Sequence, residues 1–213
     1  SSSEYAALRD SLDVPLFNRA IQGSYPPGST IKPFMAMAGL QSGLVTPETT
    51  VADPGWYSLP GDSHRYRDWI LRVRGTGHAP RVAMKMAISE SCDVYFYDLA
   101  RRLTIDRMAE YLHPFGFGAR TGVATTNERA GVLPSTSWKR AAMGQSWYPG
   151  ETISAGIGQG YMLATPLQLA NGVLQVSPTP GSPIRTFAPV DQTDFKERIQ
   201  SHYEEFVRNT HAA

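Results

Sequence analysis

The stretch Tyr25-Pro26-Pro27-Gly28-Ser29-Thr30-Ile31-Lys32-Pro33-Phe34 constrains this chain more than any other. Pro26-Pro27-Gly28 forbids a helix before Ser29, and Phe34, Met35, Met37, Ala38 and Leu40 carry helical spacing after it. A helix over 29–42 therefore starts at the serine and sets Ser29 and Lys32, three apart, on one face. Being apolar on several sides, that helix is expected to be buried together with its lysine. A buried amine loses the solvation of its charged form, so its pKa falls and it can act as a base for a neighbouring hydroxyl. The helix start adds unpaired N–H groups that favour a developing anion. Serine, lysine and helix start together make an acylatable nucleophile.

Ser-x-x-Lys alone is a weak pattern, whose plain alternative is an N-capping serine with a surface lysine one turn later. Context favours the functional reading. The lysines are Lys32, Lys85, Lys139 and Lys196, and Lys32 is the one embedded in an apolar helix. Further along, Ser91-Cys92-Asp93 lies within Ile88–Tyr97, where helices over 81–91 and 93–102 are expected to meet.

Several longer stretches accompany these motifs: Asn18-Arg19-Ala20, Asp53-Pro54-Gly55-Trp56, Arg65-Tyr66-Arg67-Asp68-Trp69 and Phe115-Gly116-Phe117-Gly118 with Thr121-Gly122. Gly156-Ile157-Gly158-Gln159-Gly160-Tyr161 through Ala164-Thr165-Pro166-Leu167-Gln168-Leu169-Ala170 completes the set. In content and order they resemble the transpeptidase domain of class B penicillin-binding proteins, most closely the elongation-type penicillin-binding protein 2 group. The resemblance covers residues 4–173.

The resemblance implies an α/β (α+β), helix-rich fold of the penicillin-binding protein and serine β-lactamase type. It implies a serine-type peptidoglycan D,D-transpeptidase of cell-wall elongation and rod shape, acylated at Ser29 by D-Ala-D-Ala stem peptides or β-lactams. In that scheme Lys32 is the neutral base, Ser91 passes the proton, and Asp93 faces the cleft to hydrogen-bond an incoming amide. Implied partners are peptidoglycan stem peptides, β-lactam antibiotics and a membrane glycosyltransferase of the elongation machinery. The implied location is the periplasmic face of a bacterial inner membrane, with anchor and pedestal outside this chain. One departure stands out: none of the lysines precedes Ser-Gly or Thr-Gly, so the family's third motif is absent. Arg120-Thr121-Gly122 reads as a turn. The antiparallel sheet is thus expected to be incomplete and acylation slow. A reduced, non-catalytic scaffold and a serine β-lactamase or penicillin sensor are the alternatives. A class A hydrolase needs a deacylating glutamate, and the nearby candidates, Glu128 and Glu151, lie in no matching context.

A second site concerns metal. Cys92 is the lone cysteine, so no disulfide forms within the chain. Asp53, Asp68 and His78 lie in the irregular stretch before it, and Asp, His and Cys are all zinc ligands. The plain alternative is a small buried cysteine with unrelated polar residues. The resemblance implies a structural zinc held by Asp53, Asp68, His78 and Cys92, with His64 as the competing histidine.

Composition bounds the rest. Two hundred and thirteen residues, 41% hydrophobic and 18% charged, suit a globular core. A net charge of +1 argues against nucleic acid as a partner. No apolar run approaches the ~18 residues of a membrane span. Residues 1–173 read as the domain core, 174–190 as a Pro/Gly/Ser linker and 191–213 as a tail with an amphipathic helix over 193–208. Residues 57–80 read as an excursion with little regular structure, and 119–150 as loop-rich. The tryptophans, with Tyr66, Tyr95 and Tyr97, read as core or groove lining, and His113 as a helix-end cap.

Overall fold

Asp93-Val94-Tyr95-Phe96-Tyr97-Asp98-Leu99-Ala100 is buried at every position, so the helix that contains it has no solvent face until Arg101. A helix buried all round belongs at the centre of a core, and α6 (Asp93–Leu103) is that centre, its Asp93 and Asp98 buried with the apolar residues. The computed structural model describes residues 2–123 and 127–176. Most of the expected linker and all of the C-terminal helix lie outside them.

Before α6 come α1 (Ser2–Arg9), α2 (Arg19–Gln22), a 3-10 turn over Gly28–Ile31, and α3 (Lys32–Gln41). Next follow β1 (Thr50–Ala52), β2 (Trp56–Tyr57), β3 (Tyr66–Arg67), α4 (Ile70–Arg74), β4 (Arg81–Ala83) and α5 (Met84–Ser89). After α6 come α7 (Ile105–Leu112), a 3-10 turn over His113–Phe115, α8 (Thr136–Met143), α9 (Pro149–Ala155) and α10 (Pro166–Val176). Helices α3, α5, α7 and α9 and strand β1 pack directly on α6. The fold is helix-rich, with small antiparallel sheets among the described residues: β1 pairs with β4 and β2 with β3.

Three expectations change. Residues 81–83 are strand, not helix, because Val82 pairs with Val51 and is fully buried. The stretch 57–80 holds β3 and α4 rather than loop alone, with Gly75 ending α4 at φ +73. The helical run at the nucleophile also starts tighter than expected: its first turn is 3-10, and α-geometry begins at Lys32.

Local chemistry accounts for the other ends. Thr165 caps α10 in a reciprocal pair: Gln168 N donates to Thr165 Oγ1 at 3.1 Å, and Thr165 N donates to Gln168 Oε1 at 2.8 Å. The Gln168 amide then donates to the carbonyls of Ala119 and Ala130 at 2.6 and 2.7 Å, tying the loops before and after residues 124–126 to α10. His113 closes α7 and sits 3.3 Å from Phe117 O, in line with the cap reading. Thr121 and Gly122 lie in irregular backbone, with Glu128 accepting from both their N–H groups.

Candidate active site and metal cluster

Ser29 is exposed on the 3-10 turn, whereas Lys32, one turn on, is only 1% exposed. The fold brings Ser91 to both. Lys32 Nζ donates to Ser91 Oγ at 2.9 Å and to Ser91 O at 2.8 Å, and Ser91 Oγ donates to Ser29 Oγ at 2.8 Å. A proton path therefore joins the exposed serine to the buried lysine through Ser91. Hydroxyl protons rotate, so the same path runs in either direction.

The third acceptor on Lys32 is Asp93 Oδ1, at 2.6 Å. Lys32 Nζ thus has three acceptors, Ser91 O, Ser91 Oγ and Asp93 Oδ1, within hydrogen-bond reach. The Asp93 carboxylate pairs with Lys32, and its side chain is 12% exposed. Burial pushes the Asp93 carboxyl above its ordinary range, and the Lys32 charge opposes that push.

Ser91 links α5 to α6 with φ +55, a left-handed backbone that a residue bearing a Cβ rarely adopts. Gly28, just before Ser29, is held from the other side: Gly28 N donates to Gly158 O at 2.9 Å. A Cβ on Gly158 would fall 2.4 Å from Gly28 O, so only glycine permits this approach.

Beneath Ser91, Asp53, Asp68, His78 and Cys92 turn one ligand atom each into a cluster whose atoms lie within 4.8 Å of one another. His64 is exposed, edge-on to Tyr66, and takes no part. Asp53 Oδ2 lies 3.0 Å from His78 Nδ1 and accepts from Cys92 Sγ at 3.5 Å. Asp68 Oδ2 is 3.7 Å from His78 Nδ1 and accepts from the N–H groups of Asp93 and Val94, capping α6. His78 Nε2 lies 3.2 Å from Glu90 O, which fixes the ring with Nδ1 toward the cluster. Gly77 lets the ring in, since a Cβ there would meet Asp53 O at 2.1 Å.

The cluster's electrostatics suit a cation. Burial pushes the Asp53 carboxyl up, but the His78 and Gly55 N–H groups, the His78 ring and the Cys92 thiol outweigh it, and the net direction is down. Burial pushes the Cys92 thiol up, and the Asp53 and Asp68 charges push the same way against the Tyr95 N–H. Two carboxylates, an oriented imidazole and a thiol form a donor set of zinc type, so the residues fit that ion.

Sequence reasoning missed three contributors. The Trp69 indole donates to Ser91 O at 3.1 Å. Asp106 caps α8 by accepting from Thr136 N at 2.8 Å. Lys139 is buried against Glu151, beside the rings of Tyr148, Tyr161 and Trp147. Neither Glu128 nor Glu151 serves as a spare deacylating base, because both hold structural partners.

An exposed serine on a helical first turn, linked through a second serine to a buried lysine, defines the class of active-serine acyl-transfer sites. The chain belongs to the penicillin binding protein transpeptidase domain family, whose model matches residues 2–177. It is 52% identical over 167 residues to the peptidoglycan D,D-transpeptidase MrdA of Acinetobacter baumannii, covering 78% of this chain and 24% of that protein. To MrdA of Escherichia coli it is 44% identical over 174 residues, covering 82% of this chain and 27% of that protein. It spans about a quarter of the length of these curated relatives. Among solved structures, Pseudomonas aeruginosa PBP2 in complex with WCK 5153 superposes with a TM-score of 0.78 at 43% identity, covering 91% of this chain and 47% of that one. Helicobacter pylori PBP2 in complex with MreC gives 0.74 at 32% identity, covering 94% and 37%.

Proposed function

We propose that this chain carries the acylating centre of an elongation-type peptidoglycan D,D-transpeptidase. The observation behind this reading is the hydrogen-bonded path Ser29–Ser91–Lys32. Once Lys32 has released one proton to solvent along the Ser91–Ser29 path, Ser29 Oγ attacks the carbonyl of the penultimate D-Ala, and its proton moves through Ser91 Oγ to Lys32. The path then returns that proton to the departing D-Ala amine, leaving an acyl group on Ser29. An amine from a second stem peptide attacks the ester, and Ser29 regains its proton by the same route. With a β-lactam the leaving nitrogen stays tethered in the ring-opened adduct. Asp93 stabilises each charged state of Lys32.

A structural zinc on Asp53, Asp68, His78 and Cys92 belongs to the same proposal. When bound, the ion supplies charge that holds the Cys92 thiol deprotonated. Asp68 caps α6 and Cys92 lies between Ser91 and Asp93, so the cluster sets the orientation of both motif residues. The protein would work at the periplasmic face of an inner membrane beside a glycan-polymerising partner; a relative solved with MreC and one solved in a peptidoglycan synthase complex support the partner. Among the described residues no helix is long and apolar enough to cross a membrane. A serine β-lactamase reading is weakened by the commitments of Glu128 and Glu151.

Intact-mass spectrometry after incubation with benzylpenicillin tests the reading. A persistent adduct of the penicillin's mass, mapped to Ser29 and absent from Ser29→Ala, is expected. Rapid loss of the adduct would indicate a lactamase, and no adduct a scaffold. Metal analysis of unchelated protein is expected to return one zinc per chain.

A further inference from the structure

Trp69 opens α4 directly after Asp68, and the residue is 42% exposed. An exposed indole ordinarily leaves its N–H to water, yet this one donates to Ser91 O. The same carbonyl accepts from Lys32 Nζ. Asp68 holds the N–H groups of Asp93 and Val94, so two consecutive residues fasten the backbone on both sides of Cys92. What they fasten is a serine at φ +55, a conformation that relaxes unless its surroundings enforce it.

The two donors to Ser91 O differ in one respect. Lys32 gains and loses a proton during acyl transfer, and its neutral amine has one N–H fewer to share among Ser91 O, Ser91 Oγ and Asp93. The indole is a donor only and keeps its hydrogen at every stage. We propose that Trp69 is a positioning residue for acyl transfer, its indole N–H holding the Ser91 carbonyl, and hence the Ser91 hydroxyl, in line between Ser29 and Lys32. This rests on the acyl-transfer reading above.

Stopped-flow acylation with a chromogenic cephalosporin separates the initial binding constant from the acylation rate in the parent and in Trp69→Phe. The phenylalanine keeps an apolar ring and removes the donor. The expected result is an acylation rate lower by about tenfold, the scale of one hydrogen bond, with the binding constant and melting temperature little changed. An unchanged rate overturns the proposal. So does a weakened binding constant at an unchanged rate, which would make Trp69 a ligand-contact wall instead. Hydrogen exchange of the Trp69 indole N–H in the parent, assigned by the signal lost in Trp69→Phe or Trp69→Leu, provides a readout free of activity. Protection supports the hold on Ser91 even if the parent forms no adduct, an outcome that would defeat the acyl-transfer reading alone. Exchange as fast as that of a free indole overturns the hold itself.

Discussion

At the residue scale the decisive contact is Lys32 with Asp93, whose side chains are 2% and 12% exposed. A buried ion pair is weak evidence of net stability, but removing one partner leaves the other charge uncompensated. Asp93→Ala is therefore expected to lower unfolding stability by about 3 kcal/mol in urea titrations. Asp93→Asn, which keeps an acceptor for Lys32 Nζ, should lose less. Equal, negligible losses would show that Lys32 finds water or another acceptor. The residue types at this site were legible in the sequence, because Ser-x-x-Lys and Ser-Cys-Asp are contiguous words. The direction of the Asp93 carboxylate was not, since its partner lies 61 residues away.

At the element scale, the tip of α9 meets the turn that carries Ser29. Gly158→Ala would place a methyl against Gly28 O and N while forcing φ +70 on a residue with a Cβ. The backbone conformation alone costs about 1–2 kcal/mol, and the collision adds to it. Gly144→Ala is the control: it has φ +67 but nothing within 4 Å of the new methyl. Gly158→Ala should fall further in melting temperature than Gly144→Ala and acylate more slowly. Matching behaviour of the two variants would remove the Gly28–Gly158 contact from the account. Gln168→Leu tests α10 in a similar way. It strips the half-buried carbonyls of Ala119 and Ala130 of their side-chain donor, and a loss of about 1 kcal/mol is expected. A variant as stable as the parent would mean that water replaces the amide. The capping of α10 was readable from Thr165-Pro166, whereas the reach of Gln168 across two loops was not.

At the scale of the whole molecule, the core carries phenolic hydroxyls with a common response to alkali. Burial pushes the Tyr57, Tyr95 and Tyr97 hydroxyls above their ordinary value of 10.0, and nearby carboxylates add to it. Above that value the unfolded chain has lost those protons while the folded chain keeps them. The unfolded state then binds fewer protons, and stability falls as pH rises through about 10. Urea midpoints at about pH 8 and about pH 11 should show the decline; a flat profile would contradict it. The metal cluster acts on the same scale. Zinc binding to the folded state alone raises stability with metal excess, so chelation or Cys92→Ser should lower the melting temperature. A melting temperature indifferent to both would leave the cluster as a hydrogen-bonded polar group only.

What is local or periodic could be read from the residues alone. Pro26-Pro27-Gly28 set where the nucleophile's helix begins, and the apolar run after Lys32 buried it. Only the tertiary structure decided pairings across distance. Residues 81–83 are strand because Val51 stands opposite Val82. His78 rather than His64 enters the cluster because Gly77 admits it against Asp53 O. The Ser91 carbonyl receives both Lys32 Nζ and the Trp69 indole because α3 and the start of α4 come together beside it. Helical and capping preferences act within one or two turns of chain and leave a mark in sequence. These contacts join segments that touch only after the core around α6 has closed.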